Sequence, residues 1–152
     1  MHLQKKLGRF PLGIWIGLIA LLFSLLAWVM QLVSLLDWEG AVGLGLQEYV
    51  FSGDAVERAL AKVEWGIAWA DMIWPLPLTL IGFLGIWRKH FIGFTSAMMN
   101  FAICVYFPLL YAFRWWDTKF DTALAAIVLF AIPAVLGIVG LWVNRQNFIT
   151  AT

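Results

Sequence analysis

The sequence predicts an all-α integral membrane protein, a four-transmembrane-helix antiparallel bundle with a 29-residue, partly helical outer loop. Three observations carry that expectation. The 152 residues are 63% hydrophobic and only 12% charged, against about 45–50% and 25% in soluble domains. So little charge cannot coat a water-facing surface, and so much apolar residue excludes a disordered chain. Finally, four apolar runs each approach the roughly 20 helical residues that cross a hydrocarbon core of about 30 Å.

The first run, residues 11–36, holds no formal charge. Lys5, Lys6 and Arg9 precede it as in a secretory signal. A signal's apolar region has only about 7–15 residues before a small-residue cleavage site, so a retained span is expected. The second run, 66–87, is interrupted only by Asp71, Pro75 and Pro77, and 91–113 and 122–143 complete the set within a single domain, 1–152. The runs are continuous rather than alternating, which excludes barrel strands.

The connections differ in kind. Arg88–His90 is a short turn, so the second and third spans form a tight antiparallel hairpin. Between the first two spans lie residues 37–65. There Ser52 reads as an N-cap with Asp54 in the first turn of a helix that starts near Gly53 and runs into span two. Upstream, Ala41–Phe51 is apolar apart from Glu48 and reads as a segment at the membrane surface.

Basic residues set the orientation. With four spans, Lys5, Lys6, Arg9, Arg88, Lys89 and Arg145 share one side with no acid, a formal +6. All nine acids face the other side beside four basic residues, a formal −5. The expected location is a bacterial inner (plasma) membrane with both termini cytoplasmic. Most of the ten tryptophans fall near span ends, where an indole keeps its ring apolar and its N–H wet. Trp28 and Trp74 lie deeper.

Helices in lipid approach through small residues. Span one carries Gly13, Gly17, Ala20, Ser24, Ala27, Gln31 and Ser34 on one face. Span three carries Gly93, Ala97, Asn100, Cys104, Phe107, Tyr111 and Arg114, and span four Ala126, Pro133, Gly137 and Gly140. Such stripes serve contacts within the bundle or a homo-oligomer seam.

Asp71 is the one formal charge inside a span, and a carboxylate there must be paired, protonated or wet. Two prolines follow it, each removing a helical donor. Gln31, Trp74, Asn100, Tyr106, Tyr111 and Arg114 are candidates to line a polar pocket with it. Arg114 is the candidate ion partner, and Glu64, seven residues earlier on the same face, the route to solvent.

The chemistry on offer is narrow. A single cysteine, Cys104, excludes disulfide shuttling, and His2 and His90, both outside the spans, give a bundle haem no evident ligand. There is no metal-ligand spacing, no Ser/His/Asp set and no phosphate-binding glycine loop, so neither a metal nor a cofactor is expected. A net charge of +1 gives no reason to expect nucleic acid. These features favour a non-catalytic accessory or scaffold subunit, or a binding module, embedded in membrane lipid and packing against another membrane protein or itself. The alternative is binding or translocation of a lipid- or quinone-like molecule, or a proton-using enzyme, acting through Asp71 in an outer-leaflet pocket.

Overall fold

The computed structural model describes residues 2–149 and is 80% helical. Thr150 to Thr152 and Met1, the termini to which the orientation refers, lie outside the described residues. A β-hairpin, β1 (Lys6–Leu7) and β2 (Phe10–Pro11), precedes the helices. The helices are α1 (Leu12–Leu36), α2 (Trp38–Gly43), α3 (Ala55–Ile73), α4 (Pro75–Trp87), α5 (Phe91–Trp115), α6 (Phe120–Ala126), α7 (Ile132–Val143) and α8 (Gln146–Ile149). A π-helical turn, Ile127–Ala131, joins α6 to α7. Among the described residues four helical stretches are long and apolar enough to cross a membrane: Leu12–Leu36, Ala55–Trp87, Phe91–Trp115 and Phe120–Val143.

The β-hairpin was not expected from the apolar pattern, being only two residues per strand. Gly8, at φ +65°, opens its two-residue turn, the position where such turns require glycine. The second difference lies at the start of α3. Its cap is Asp54, whose Oδ1 accepts from the backbone N–H groups of Val56 and Glu57 at 2.8 and 2.9 Å, not Ser52. Ser52 instead gives its own backbone N–H to Glu39 Oε1 at 3.1 Å.

The chain divides into two compact units, one made of the chain up to Leu25 together with that from Leu78 onward, the other Leu26–Pro77. In the first, glycines set the helix contacts. A Cβ on Gly13 would lie 2.6 Å from the Gly140 carbonyl oxygen, and one on Gly17 2.7 Å from Leu141 Cδ2. Gly137 faces Ala20 and the Phe101 ring, and Gly85 meets Gly93 backbone to backbone. With no side chain between them, α1 closes on α7 and α4 on α5.

The α4–α5 turn follows from helix-end chemistry. The His90 N–H donates to Gly85 O at 2.8 Å and the Lys89 N–H to Ile86 O at 3.0 Å, the Schellman pattern, with Lys89 at φ +61° in the place glycine favours. Above this turn, the Arg9 guanidinium donates to Trp87 O at 2.9 Å, and Trp15 Nε1 donates to Leu7 O at 2.8 Å. The Phe10, Trp15 and Trp87 rings pack edge to face with centroids 5.6–6.1 Å apart.

On α5 the buried residues run Gly93, Ala97, Asn100, Cys104, Pro108 and Ala112. The stripe read from sequence continues instead through Phe107, Tyr111 and Arg114, and Tyr111 is exposed. Alternating steps of three and four average 3.5 residues, whereas a straight helix turns in 3.6, so the buried face drifts by one residue toward the C-terminus. Pro108 lies at that drift and offers no N–H to the Cys104 carbonyl.

In the second unit, α2 and the residues after it are fastened by acids and an indole. Asp37 caps α2 through the Gly40 N–H at 3.0 Å. Glu39 Oε1 accepts from Phe51 N at 3.0 Å as well as from Ser52 N, and Trp38 Nε1 donates to Tyr49 O at 2.9 Å. These bonds give the connection a defined internal structure.

Candidate functional site

Asp71 is buried near the end of α3, 4% exposed. Its position follows from the helix break beside it. Pro75 has no N–H for the Asp71 carbonyl and Pro77 none for that of Ile73, so α3 stops at Ile73. Trp74 closes it with an N–H to Ala70 O at 3.0 Å, and Pro75 opens α4, where its missing donor costs nothing.

Gln31, on α1, donates Nε2 to Asp71 Oδ2 at 3.3 Å. Gln47, in the connection between α2 and α3, donates its amide to Gln31 Oε1 at 2.7 Å and to Ser34 Oγ at 3.0 Å. Ser34 is fully buried and donates to Met30 O at 3.0 Å. The Gln47-to-Gln31 and Gln31-to-Asp71 bonds therefore point one way, from the connection through two amides to the carboxylate. The Gln47 amide supplies both contacts and Gln31 turns its own N–H₂ on the acid, a directional chain in which each group satisfies the next.

Glu64 is half-buried, and its Oε2 accepts the Glu48 backbone N–H at 3.3 Å. It thus fastens the residue next to Gln47, about two turns before Asp71 on the same face of α3. Trp74 is 56% exposed and presents its ring outward.

The other residues singled out from sequence belong to the first unit. Asn100 is fully buried on α5, where its Oδ1 accepts from Thr79 Oγ1 at 2.9 Å and its Nδ2 has no partner. Cys104 donates to Ser24 Oγ at 3.3 Å, and Ser24 to Ala20 O at 3.1 Å. Tyr106 is exposed and packs edge-on against Phe107. The Arg114 guanidinium lies 4.5 Å from the Trp115 ring centroid. The interface candidates Gly13, Gly17, Ala20, Gly137 and Gly140 are all buried, and Ala27 is half-buried.

Two participants were missed by sequence reasoning. Gln47 stands in a stretch read as apolar, where it and Glu48 are the only long polar side chains between Ala41 and Val50. Thr79, a hydroxyl within span two, is the partner that Asn100 required. Both carried the same available signal, a polar side chain inside an apolar run.

The site can hold a carboxylate and orient two amides around it. It contains no nucleophile beside a base, and among the described residues no three His, Cys, Asp or Glu side chains gather closely enough to bind a metal. Comparisons with protein-family models, curated proteins and solved structures return no match.

Proposed function

We infer that the chain is a non-catalytic integral membrane protein of a bacterial inner membrane, with both termini cytoplasmic, acting as an accessory or scaffold subunit that packs against another membrane protein or itself. One observation carries this reading. The intramembrane acid is held by Gln31, Gln31 by Gln47, and Gln47 also by Ser34, so these polar groups serve one another. A carboxylate engaged in fastening a connection to two helices is suited to fixing a surface that a partner reads.

The test is purification of the tagged chain from its native membrane after mild crosslinking. A stoichiometric membrane-protein partner, or a discrete homo-oligomer, is the expected result. A monomer carrying a quinone instead would favour the second reading, ligand binding or proton transfer through Asp71. The break at Trp74–Pro75, directly after the acid, is the feature that favours that alternative. For the orientation, a reporter that works only in the cytoplasm should be active when fused after Thr152.

A further inference from the structure

The first unit carries a second feature, at the end of its helices where Arg9 and the α4–α5 turn lie. Arg9 and Lys89 are both drawn onto one aromatic patch. The Arg9 guanidinium lies 5.2 Å from the Phe10 ring centroid and 5.1 Å from that of Trp87, and Lys89 Nζ lies 5.9 Å from Phe10. The stretches of chain at this end, residues 2–17, 84–97 and 137–149, contain no Asp or Glu. Two cations on one ring repel each other unless an anion joins them.

Directly along the same helices lies a half-open recess of about 160 Å³. Leu21, Leu22 and Leu25 of α1 and Thr79, Leu80, Phe83 and Leu84 of α4 line it. Leu80, Leu84 and Trp87 are spaced four and three apart, so they share one face of α4. At 1.5 Å per residue the recess begins roughly 5 Å from Trp87 and continues for about another 6 Å along the helix. An anionic group at the cations and a hydrocarbon chain in the recess would belong to one molecule.

We propose that Arg9, Lys89 and the α1–α4 recess form a binding site for an anionic glycerophospholipid, its phosphate between the two cations and an acyl chain against Leu22, Leu80 and Leu84. The Phe10, Trp15 and Trp87 rings sit at the level where the glycerol would lie, which is the depth indoles favour. The site rests on the membrane reading alone and not on a protein partner. Failure to capture a partner therefore leaves it standing.

The experiment uses the full chain in a nonionic detergent, with retained lipid read by native mass spectrometry and stability by thermal unfolding. The probes are dioleoyl phosphatidylglycerol, the phosphatidylcholine with the same chains, and glycerol 3-phosphate. Phosphatidylglycerol should be retained and should raise the melting temperature, phosphatidylcholine should be retained at least fivefold less, and glycerol 3-phosphate should do neither. Lys89→Asn, which keeps a residue tolerant of φ +61°, should lower phosphatidylglycerol retention about fivefold, the worth of one basic group near a membrane surface. Leu84→Trp, which fills the recess from an exposed position, should abolish retention of both lipids while the lipid-free melting temperature holds. Equal retention of the two lipids overturns the proposal, as does unchanged selectivity in Lys89→Asn. Stabilisation by glycerol 3-phosphate equal to that by the lipid also overturns it, since the ligand would then be a free phosphate ester. Should Leu84→Trp fail to fold, the Lys89→Asn comparison decides alone.

Discussion

Gln47 donates its side-chain amide to Gln31 Oε1 across 2.7 Å, and this contact helps tie the connection after α2 to α1, whose Gln31 in turn holds Asp71 of α3. Because Gln31 then donates to Asp71, neither amide can rotate without breaking the bond of the other. The unit from Leu26 to Pro77 is thereby fastened through its least apolar residues.

Gln31→Leu should therefore do more harm than the loss of one hydrogen bond. It strips a buried carboxylate of its donor and Gln47 of an acceptor, at a cost of about 1–3 kcal/mol. Adding Asp71→Leu should recover most of that loss, because no buried charge is then left without a partner. Unfolding midpoints of the two single variants and the double variant measure the coupling. Additive losses would show that the contact contributes little.

Two glycine-to-alanine changes should differ in sign. A Cβ on Gly140 would collide with the backbone carbonyl of Gly13, and no backbone can step aside cheaply. Gly140→Ala should cost about 1–3 kcal/mol. Gly66, inside α3, has open space where its Cβ would be. Gly66→Ala should raise stability by about 0.5–1 kcal/mol through the lower conformational entropy of its unfolded chain. Thermal unfolding of both variants under one condition checks the pair.

Asp54→Ala should cost about 1 kcal/mol, the usual worth of an N-cap side chain. Ser52→Ala should stay within about 0.5 kcal/mol, because Ser52 engages Glu39 through its backbone only. Hydrogen exchange at Val56 and Glu57 reports the cap directly. Faster exchange there in Asp54→Ala, and unchanged exchange in Ser52→Ala, is the expected pair of results.

Lys89→Gly should stabilise the α4–α5 turn by about 1 kcal/mol, since a side chain at positive φ crowds the following carbonyl and glycine has none. The increase should appear in the unfolding midpoint measured without added lipid. A decrease would mean that the Lys89 ammonium contributes more over Phe10 than its backbone loses.

The four helical stretches were legible because some twenty apolar residues in succession have only one common reading. Asp71 was legible for the converse reason, as a charge where charge is rare. Gln31 stood only among several candidates to line a pocket with it, and nothing singled out their pairing. Gln31 and Asp71 are 40 positions apart, and no periodicity connects an amide on one helix with an acid on another. Gln47 was harder still, since a loop has no repeating face that would direct a side chain. The α5 stripe was read correctly to Cys104 and then lost at Pro108, where small differences between 3.5 and 3.6 residues per turn had accumulated to one position. The helical cap moved from Ser52 to Asp54 because both residue types suit that place, and only backbone geometry separates them.

The π-helical turn at Ile127–Ala131 gives the last helix an unusual relation to length changes. Such a turn accommodates one residue more than an α-helix of the same rise. Deleting a single residue there should therefore heal it into regular helix while α6 and α7 keep their mutual rotation, whereas the same deletion in a regular turn would rotate them by about 100°. Ala123 should stay buried together with Gly137 and Gly140. Homologues that lack this residue should therefore show a one-residue gap within 127–131 and keep a small side chain at the place of Ala123, with no compensating shift on α6.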